Sequence, residues 1–358
     1  MTTKAGSVVN AVAMTLKNQL LDESNVWLQR KAISQTITLL ESQLEEDEAL
    51  AHEVLTLLHQ QQERPPRPVL RVGIAGSPGA GKSSFLEAFG QYMLQQQQQT
   101  SNNNNNNNNN NTTTRFAILC VDPSSAHTTG SILADKTRMP VLASNADRCF
   151  VRPCPSRSVL GGLAPHTESV CRLVSFCFST VFIETVGLGQ SETDIQHVTD
   201  CVLYLVSPHS GDDLQAAKQG ILEVVDAVVV TKADGDSLCA ARRTAGDFRG
   251  SSSTRRDELP VFLTSSVTGD GLEQVWDFLE QQRRNNNTSP DDARRRREQD
   301  RYWTRKHLCA AALERLEKRY NKSNNNHNNL SGEIDHCCED VPPRVAARLL
   351  LNKIWPEQ

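Results

Sequence analysis

The chain has 358 residues, of which 38% are hydrophobic, and a formal net charge of -4 from 38 basic and 42 acidic side chains. That length allows about two domains or one domain with large additions, and so nearly balanced a charge excludes a global electrostatic drive toward nucleic acid or an anionic membrane. No run of 18 apolar residues predicts a membrane span, and the ten cysteines lack the C-x-x-C spacing of a zinc ribbon or redox dithiol.

Residues 1–25 read as a flexible N-terminus, in which Lys4 and Lys17 precede the first acid, Asp22, a weak presequence signal that lacks arginine. Between Val26 and Gln61 the apolar residues Trp27, Ile33, Ile37, Leu40, Leu44, Leu50, Val54, Leu57 and Leu58 recur at three- or four-residue steps. That period predicts helices with one buried face, an N-terminal helical segment over 26–66. Pro65, Pro66 and Pro68 break it and lead into Leu70–Ala75, a first strand ending at a glycine. Further β-rich runs at Phe116–Val121, Val181–Ile183, Cys201–Val206, Ala227–Val230 and Val261–Leu263 alternate with helical or loop spacers. The alternation predicts an α/β domain over 67–284, a mainly parallel central sheet flanked by helices. Gln95–Gln99 and Asn102–Asn111 predict a disordered polar insertion over 95–114. A C-terminal helical arm is expected over 285–358: a helix from Arg294 to about Lys322, a polar loop over 321–329, and a short apolar helix over Val345–Ile354. The Arg294–Arg297 run reads as a solvated face of that arm.

Gly76-Ser77-Pro78-Gly79-Ala80-Gly81-Lys82-Ser83 fits G-x-x-x-x-G-K-[ST] and stands between a predicted strand and a predicted helix, the setting of a P-loop. The glycines let backbone N–H groups converge on phosphate oxygens, the following helix offers its positive end with Ser84 counted among the nucleotide-binding residues, Lys82 neutralises the β and γ phosphates, and Ser83 ligates Mg²⁺. Thr231-Lys232-Ala233-Asp234 follows an apolar strand, where GTPases carry a base-reading [NT]-K-x-D loop. Asp234 would accept from guanine N1–H and the 2-amino group, whereas adenine would leave the carboxylate unpaired. Ser265 and Ser266, after the next strand, could close over the base. Glu184 ends another strand where P-loop proteins place a carboxylate near Mg²⁺ or water, and Gly187 could offer its N–H to the γ phosphate, which makes Leu188–Glu192 a candidate switch.

Val121-Asp122-Pro123-Ser124-Ser125, Asp135-Lys136-Thr137-Arg138-Met139, Glu184-Thr185-Val186-Gly187-Leu188-Gly189-Gln190-Ser191-Glu192 and Gly211-Asp212-Asp213-Leu214-Gln215 occur in that order. Together they resemble the methylmalonyl-CoA mutase-associated GTPases, P-loop proteins once described as arginine/ornithine transport ATPase-like, over most of the chain outside the polar tracts. The resemblance implies a Mg²⁺-dependent GTPase that acts as a chaperone, loading, protecting or reactivating an adenosylcobalamin-dependent methylmalonyl-CoA mutase. It also implies a homodimer held by the C-terminal arm and a mitochondrial matrix location, with the cytoplasm as the alternative. Adenosylcobalamin belongs to the partner, and neither nucleic acid nor membrane is expected to bind. By the same resemblance Lys82 is catalytic at the phosphates, Ser83, Asp122, Asp135 and Glu184 surround the metal and the attacking water, and Arg138, Gln190, Gln215 and Lys218 lie in switch or coupling loops. Thr129, Ala134, His209, Ser210 and Ser266 depart from the small residues of the pattern, which predicts stiffer loops.

Three other readings remain open. A metal-insertion GTPase of related fold would want a histidine-rich tract or clustered cysteines, a small-molecule kinase would need an acceptor other than water, and a scaffold would use nucleotide only to hold the fold.

Overall fold

The computed structural model of the chain describes residues 2–42, 44–60, 69–103, 115–122, 139–155, 163, 165–185, 194–208, 223–251, 259–285 and 290–323. The chain divides into two compact units, Met1–Arg296 and Arg297–Gln358.

The first unit is built on a seven-stranded sheet in the order β3-β2-β4-β1-β5-β6-β7, parallel throughout. The strands are β1 (Leu70–Ala75), β2 (Phe116–Asp122), β3 (Cys149–Pro155), β4 (Thr180–Glu184), β5 (Cys201–Val206), β6 (Ala227–Val230) and β7 (Val261–Leu263). β4, β5 and β6 are buried at every position, which is why they read as unbroken apolar runs: helices cover both faces of a parallel sheet. Six of these strands lie where the sequence predicts them. The edge strand β3 does not, because Pro153 and Pro155 argue against a strand by composition. Proline is tolerated there because, among the described strands, β3 lies at the sheet edge and pairs only with β2.

One face is covered by α4 (Lys82–Asn103) and α8 (Leu272–Asn285). Phe85, Phe89 and Met93 of α4 and Leu272, Val275 and Leu279 of α8 join Leu70, Val72, Ile74, Phe116 and Phe182 in one buried cluster. Phe89 stands edge-on to Phe182 with ring centres 6.0 Å apart. α5 (Pro140–Ser144) docks on α4 and β3, α6 (Pro165–Ser175) packs on β2, β4 and α2, and α7 (Leu238–Ser251) packs on β6 and β7.

Three points correct the sequence expectations. The first 25 residues contain α1 (Thr2–Leu21), whose Ala13, Leu16 and Leu20 are buried and which packs against α2 (Val26–Glu41) and α3 (Glu45–Gln60). Those apolar residues repeat at three- and four-residue steps and find a partner surface, so the segment is not a loose end. Gln95–Asn103, assigned to the polar insertion, continues α4, because glutamine is a fair helix former and extends a helix already nucleated by a buried face. In α2 and just before α3, Trp27 (71% exposed) and Leu44 (66% exposed) lie outside the buried stripe that Ile33, Ile37, Val54 and Leu58 form.

The N-terminal helices are tied to the sheet edge by long cations. Arg30 of α2 donates to the carbonyls of Ala146 and Cys149 and lies over the Phe150 ring, and Arg152 of β3 pairs with Glu41 at 2.8 Å. In the arm, α9 (Pro290–Ser323) confirms the predicted long helix; Val345–Ile354 lies outside the described residues.

Candidate nucleotide site

β1 ends at Ala75 in the middle of the sheet, between β4 and β5, and the P-loop follows at its carboxyl end, the edge at which open α/β sheets bind ligands. Gly76 leaves the strand with φ 142°, and a Cβ there would lie 2.2 Å from the Leu205 carbonyl oxygen of β5. Only glycine lets the chain pass that close. The loop closes through Ala80 N–H on the Ser77 carbonyl at 3.1 Å, and α4 starts at Lys82, so the N–H groups of its first turn lie at the loop. Lys82 is buried, and its ammonium donates to the carbonyls of Gly76 at 2.6 Å and Ser77 at 3.0 Å. The cation is therefore held over the concave side of the loop, where phosphates would bring negative charge. Ser77 is half-buried, Pro78 and Gly79 are exposed, and Ser84 is exposed in the first turn of α4.

The parallel pairing of β1 with β4 sets Ile74 beside Glu184. As a result Ser83, in the first turn of α4, donates its hydroxyl to Glu184 Oε1 at 2.7 Å. Glu184 is only 9% exposed. A hydroxyl and a carboxylate meeting at a phosphate-binding loop suit Mg²⁺, which takes one or two protein oxygens and fills its remaining positions with phosphate and water. Thr185, which the sequence shows as part of the motif after Glu184 but without a role, anchors this corner: its N–H and its hydroxyl both donate to the Ile74 carbonyl, at 3.0 and 3.2 Å.

The base side forms at the ends of β6 and β7. Thr231 Oγ lies 2.7 Å from the Ala80 carbonyl and 3.2 Å from that of Val206, so its single hydroxyl proton ties the base loop to the P-loop and to β5. Lys232, at φ 53°, donates its ammonium to the Gly79 carbonyl at 3.1 Å. Asp234 accepts from the hydroxyl of Ser265, whose oxygen in turn accepts from the N–H groups of Val267 at 3.1 Å and Thr268 at 3.0 Å. The carboxylate is thus oriented before any base arrives, and with about four acceptor positions it keeps capacity for two guanine donors. Ser266 follows, half-buried, in the same turn. The sequence marks Ser265 as a residue that could close over the base; its role of aiming Asp234 needed the structure.

Asp122 closes β2, and its backbone pairs with Pro155 at the same sheet edge as Glu184. Asp135, Arg138, Gly187, Gln190, Gln215 and Lys218 lie outside the described residues, as do Thr129, Ala134, His209 and Ser210. Among the described residues no three His, Cys, Asp or Glu side chains gather into a metal cluster, and no helix is long and apolar enough to cross a membrane.

Residues 33–323 match the family model of the methylmalonyl Co-A mutase-associated GTPase MeaB. The chain belongs to that family. Relatives include the mitochondrial methylmalonic aciduria type A homolog of Mus musculus, 35% identical over 265 residues that make up 71% of this chain and 60% of the mouse protein. GTPase ArgK of Escherichia coli is 36% identical over 254 residues, 69% of this chain and 70% of that one. The crystal structure of an LAO/AO transport system kinase matches with a TM-score of 0.65 at 23% identity, covering 96% of this chain and 98% of that one, a likeness of fold. As a MeaB-family GTPase, the chain is a P-loop GTP hydrolase, and the family implies binding of GTP, GDP and Mg²⁺. The Ser83 and Glu184 pair and the Asp234 carboxylate aimed by Ser265 are the described groups whose chemistry suits those ligands.

Proposed function

We propose that this GTPase serves an adenosylcobalamin-dependent methylmalonyl-CoA mutase, using its nucleotide cycle to load, protect or reactivate that enzyme. Membership of the mutase-associated family carries the reading, and the similarity to the type A homolog of Mus musculus, of which the matched region is three-fifths, supports it. That relative is named mitochondrial, which supports a matrix location over the cytoplasm.

In this reading Lys82 and the N–H groups of the P-loop hold the β and γ phosphates and stabilise charge that develops as the terminal phosphate leaves. Ser83 and Glu184, with Asp122 and Asp135, are the metal-side oxygens. Mg²⁺ in that position supplies Lewis acidity to the phosphoryl oxygens. Gly187 offers its N–H to the γ phosphate, so Gln190 senses whether that group is present, while Arg138, Gln215 and Lys218 carry the nucleotide state to the mutase. The arm beginning at α9 is the dimerisation element. A metal-insertion role and a small-molecule kinase are the other readings; no described cluster of metal ligands favours the first, and the oriented Asp234 at a guanine loop does not favour the second.

Co-sedimentation of the full chain with the mutase, in the presence of Mg²⁺ and either GDP or a non-hydrolysable GTP analogue, tests the assignment. Complex formation that depends on which nucleotide is bound is expected. No complex in either state would leave a GTPase whose partner is another protein.

A further inference from the structure

Side chains alternate between the two faces of the sheet along β4, so Phe182 and Glu184 stand on the same one. That face carries α4, and β4 meets the helix twice: Phe182 is edge-on to Phe89, and Glu184 accepts the Ser83 hydroxyl at 2.7 Å. Ser83 sits in the first turn of α4, whose start is set by the P-loop and so by the end of β1. Glu184 is the last residue of β4. How far the hydroxyl stands from the carboxylate therefore depends on how firmly those two strand ends are joined.

The join is made by Thr185. The ladder between β1 and β4 runs as far as Ile74 and Glu184, and the next rung is the Thr185 N–H on the Ile74 carbonyl at 3.0 Å. The Thr185 hydroxyl adds a second bond to that same oxygen at 3.2 Å. Both acceptor positions of one carbonyl, two residues ahead of Gly76, are thus filled by the neighbour of Glu184. Thr185 is buried, so water does not compete for the bond. A strand end held by one backbone bond opens more readily than one held by two.

We propose that Thr185 is a positioning residue for the divalent cation: by binding the Ile74 carbonyl through its hydroxyl as well as its N–H, it holds Glu184 at a fixed reach from Ser83 and so favours Mg²⁺ over larger ions. Both of its donors are spent on Ile74, and it acts through Glu184. The inference rests on the assignment of Ser83 and Glu184 to the metal side. Mg²⁺ demands near-ideal octahedral geometry with oxygens at about 2.1 Å, whereas Ca²⁺ accepts a flexible shell at about 2.3–2.6 Å. A loosened Glu184 is therefore penalised more with Mg²⁺ than with Ca²⁺.

The test measures GDP affinity by calorimetry for the full chain and its Thr185→Val and Thr185→Ser variants, in EDTA, in Mg²⁺ and in Ca²⁺. Thr185→Val keeps the shape of the side chain and loses the hydroxyl. It is expected to cut the gain in GDP affinity that Mg²⁺ gives over EDTA about fivefold, the effect of one hydrogen bond. The gain given by Ca²⁺ falls less than about twofold, and affinity in EDTA stays within about twofold. Thr185→Ser keeps the hydroxyl and restores the wild-type Mg²⁺ gain. If the valine variant does not fold, Thr185→Ala is read in its place. An unaltered Mg²⁺ gain without the hydroxyl overturns the proposal. So does an equal loss in all three conditions that serine does not restore, which marks mere support of the sheet. Glu184→Ala is measured alongside: an unaltered Mg²⁺ gain there shows that the metal-side assignment itself has failed, and the proposal with it.

Discussion

Arg71 of β1 and Asp200, the residue before β5, are joined by three hydrogen bonds: Nη2 to Oδ1 at 2.7 Å, Nε to Oδ2 at 3.1 Å, and the Arg71 backbone N–H to Oδ2 at 3.0 Å. Arg296, where the arm departs, adds its Nε 3.5 Å from Oδ1. The Asp200 side chain has no exposed surface. Burial by itself would raise its pKa, but the Arg71 guanidinium and its bonds outweigh that, and the carboxyl is held below its usual range.

Replacing Asp200 with alanine removes the buried carboxylate that Arg71 binds through three hydrogen bonds, and a loss of about 3 kcal/mol in urea unfolding is expected. Because the native pKa is depressed, the stability contributed by Asp200 is present in full above the unfolded-chain pKa of about 4 and fades as pH falls through the lower native value. The stability gap between wild type and Asp200→Asn should therefore be widest near neutral pH and shrink below about pH 4. A constant gap from pH 7 to pH 3 would show that the pair does not titrate this way.

Asp234→Asn should weaken GTP binding about 100-fold, since two charge-assisted bonds to the base are lost or reversed. An asparagine amide can donate to a carbonyl where guanine carries its amino group, so xanthosine triphosphate should gain affinity as GTP loses it. Competition binding of the two nucleotides measures both changes. Ser265→Ala frees Asp234 from its hydroxyl partner and should cost less, about tenfold for GTP.

Lys82→Ala should abolish measurable phosphate release, because the loop loses the cation held by the Gly76 and Ser77 carbonyls. The fold should survive, since the seven-stranded sheet and its core do not depend on that ammonium. Circular dichroism and a thermal melt within about 3 °C of wild type, beside a blank hydrolysis assay, are the expected pair of results.

Thiol reactivity divides the described cysteines sharply. Cys120, Cys149, Cys154, Cys171, Cys177 and Cys201 are buried, whereas Cys239 and Cys309 are exposed. Burial pushes Cys171 and Cys177 up to about 12 and Cys149 and Cys201 upward as well, so few thiolates form at neutral pH. Mass spectrometry after brief iodoacetamide treatment of the native protein should find Cys239 and Cys309 modified and the six buried thiols intact. Early labelling of Cys171 or Cys177 would contradict the packing of α6 and α1, since Cys177 lies with its sulfur 3.4 Å from the Leu20 carbonyl.

What the sequence made legible follows from what each feature depends on. The P-loop works through its backbone, so glycine spacing before a helix is enough to place it. Strands buried on both faces announce themselves as apolar runs, so β5 and β6 fall on the predicted residues, and β1 and the partly buried β7 follow the same apolar signal. β3 hides behind its two prolines, and α5 and α6 are too short or too mixed in composition to show a period. The pairings of Glu87 with Val141, Thr185 with Ile74 and Ser265 with Asp234 leave no local signal, because each joins elements distant in sequence. Such pairings are decided by sheet order and helix docking, which spacing along the chain does not encode.

The decisive measurement is the rate of phosphate release from Mg²⁺ and GTP by the full chain, alone and with an adenosylcobalamin-dependent methylmalonyl-CoA mutase, with Lys82→Ala as the blank. A slow rate alone that rises severalfold with the mutase and vanishes in the blank is predicted. A rate that is the same with and without the mutase, at concentrations where the two proteins are mixed in excess, would contradict the account.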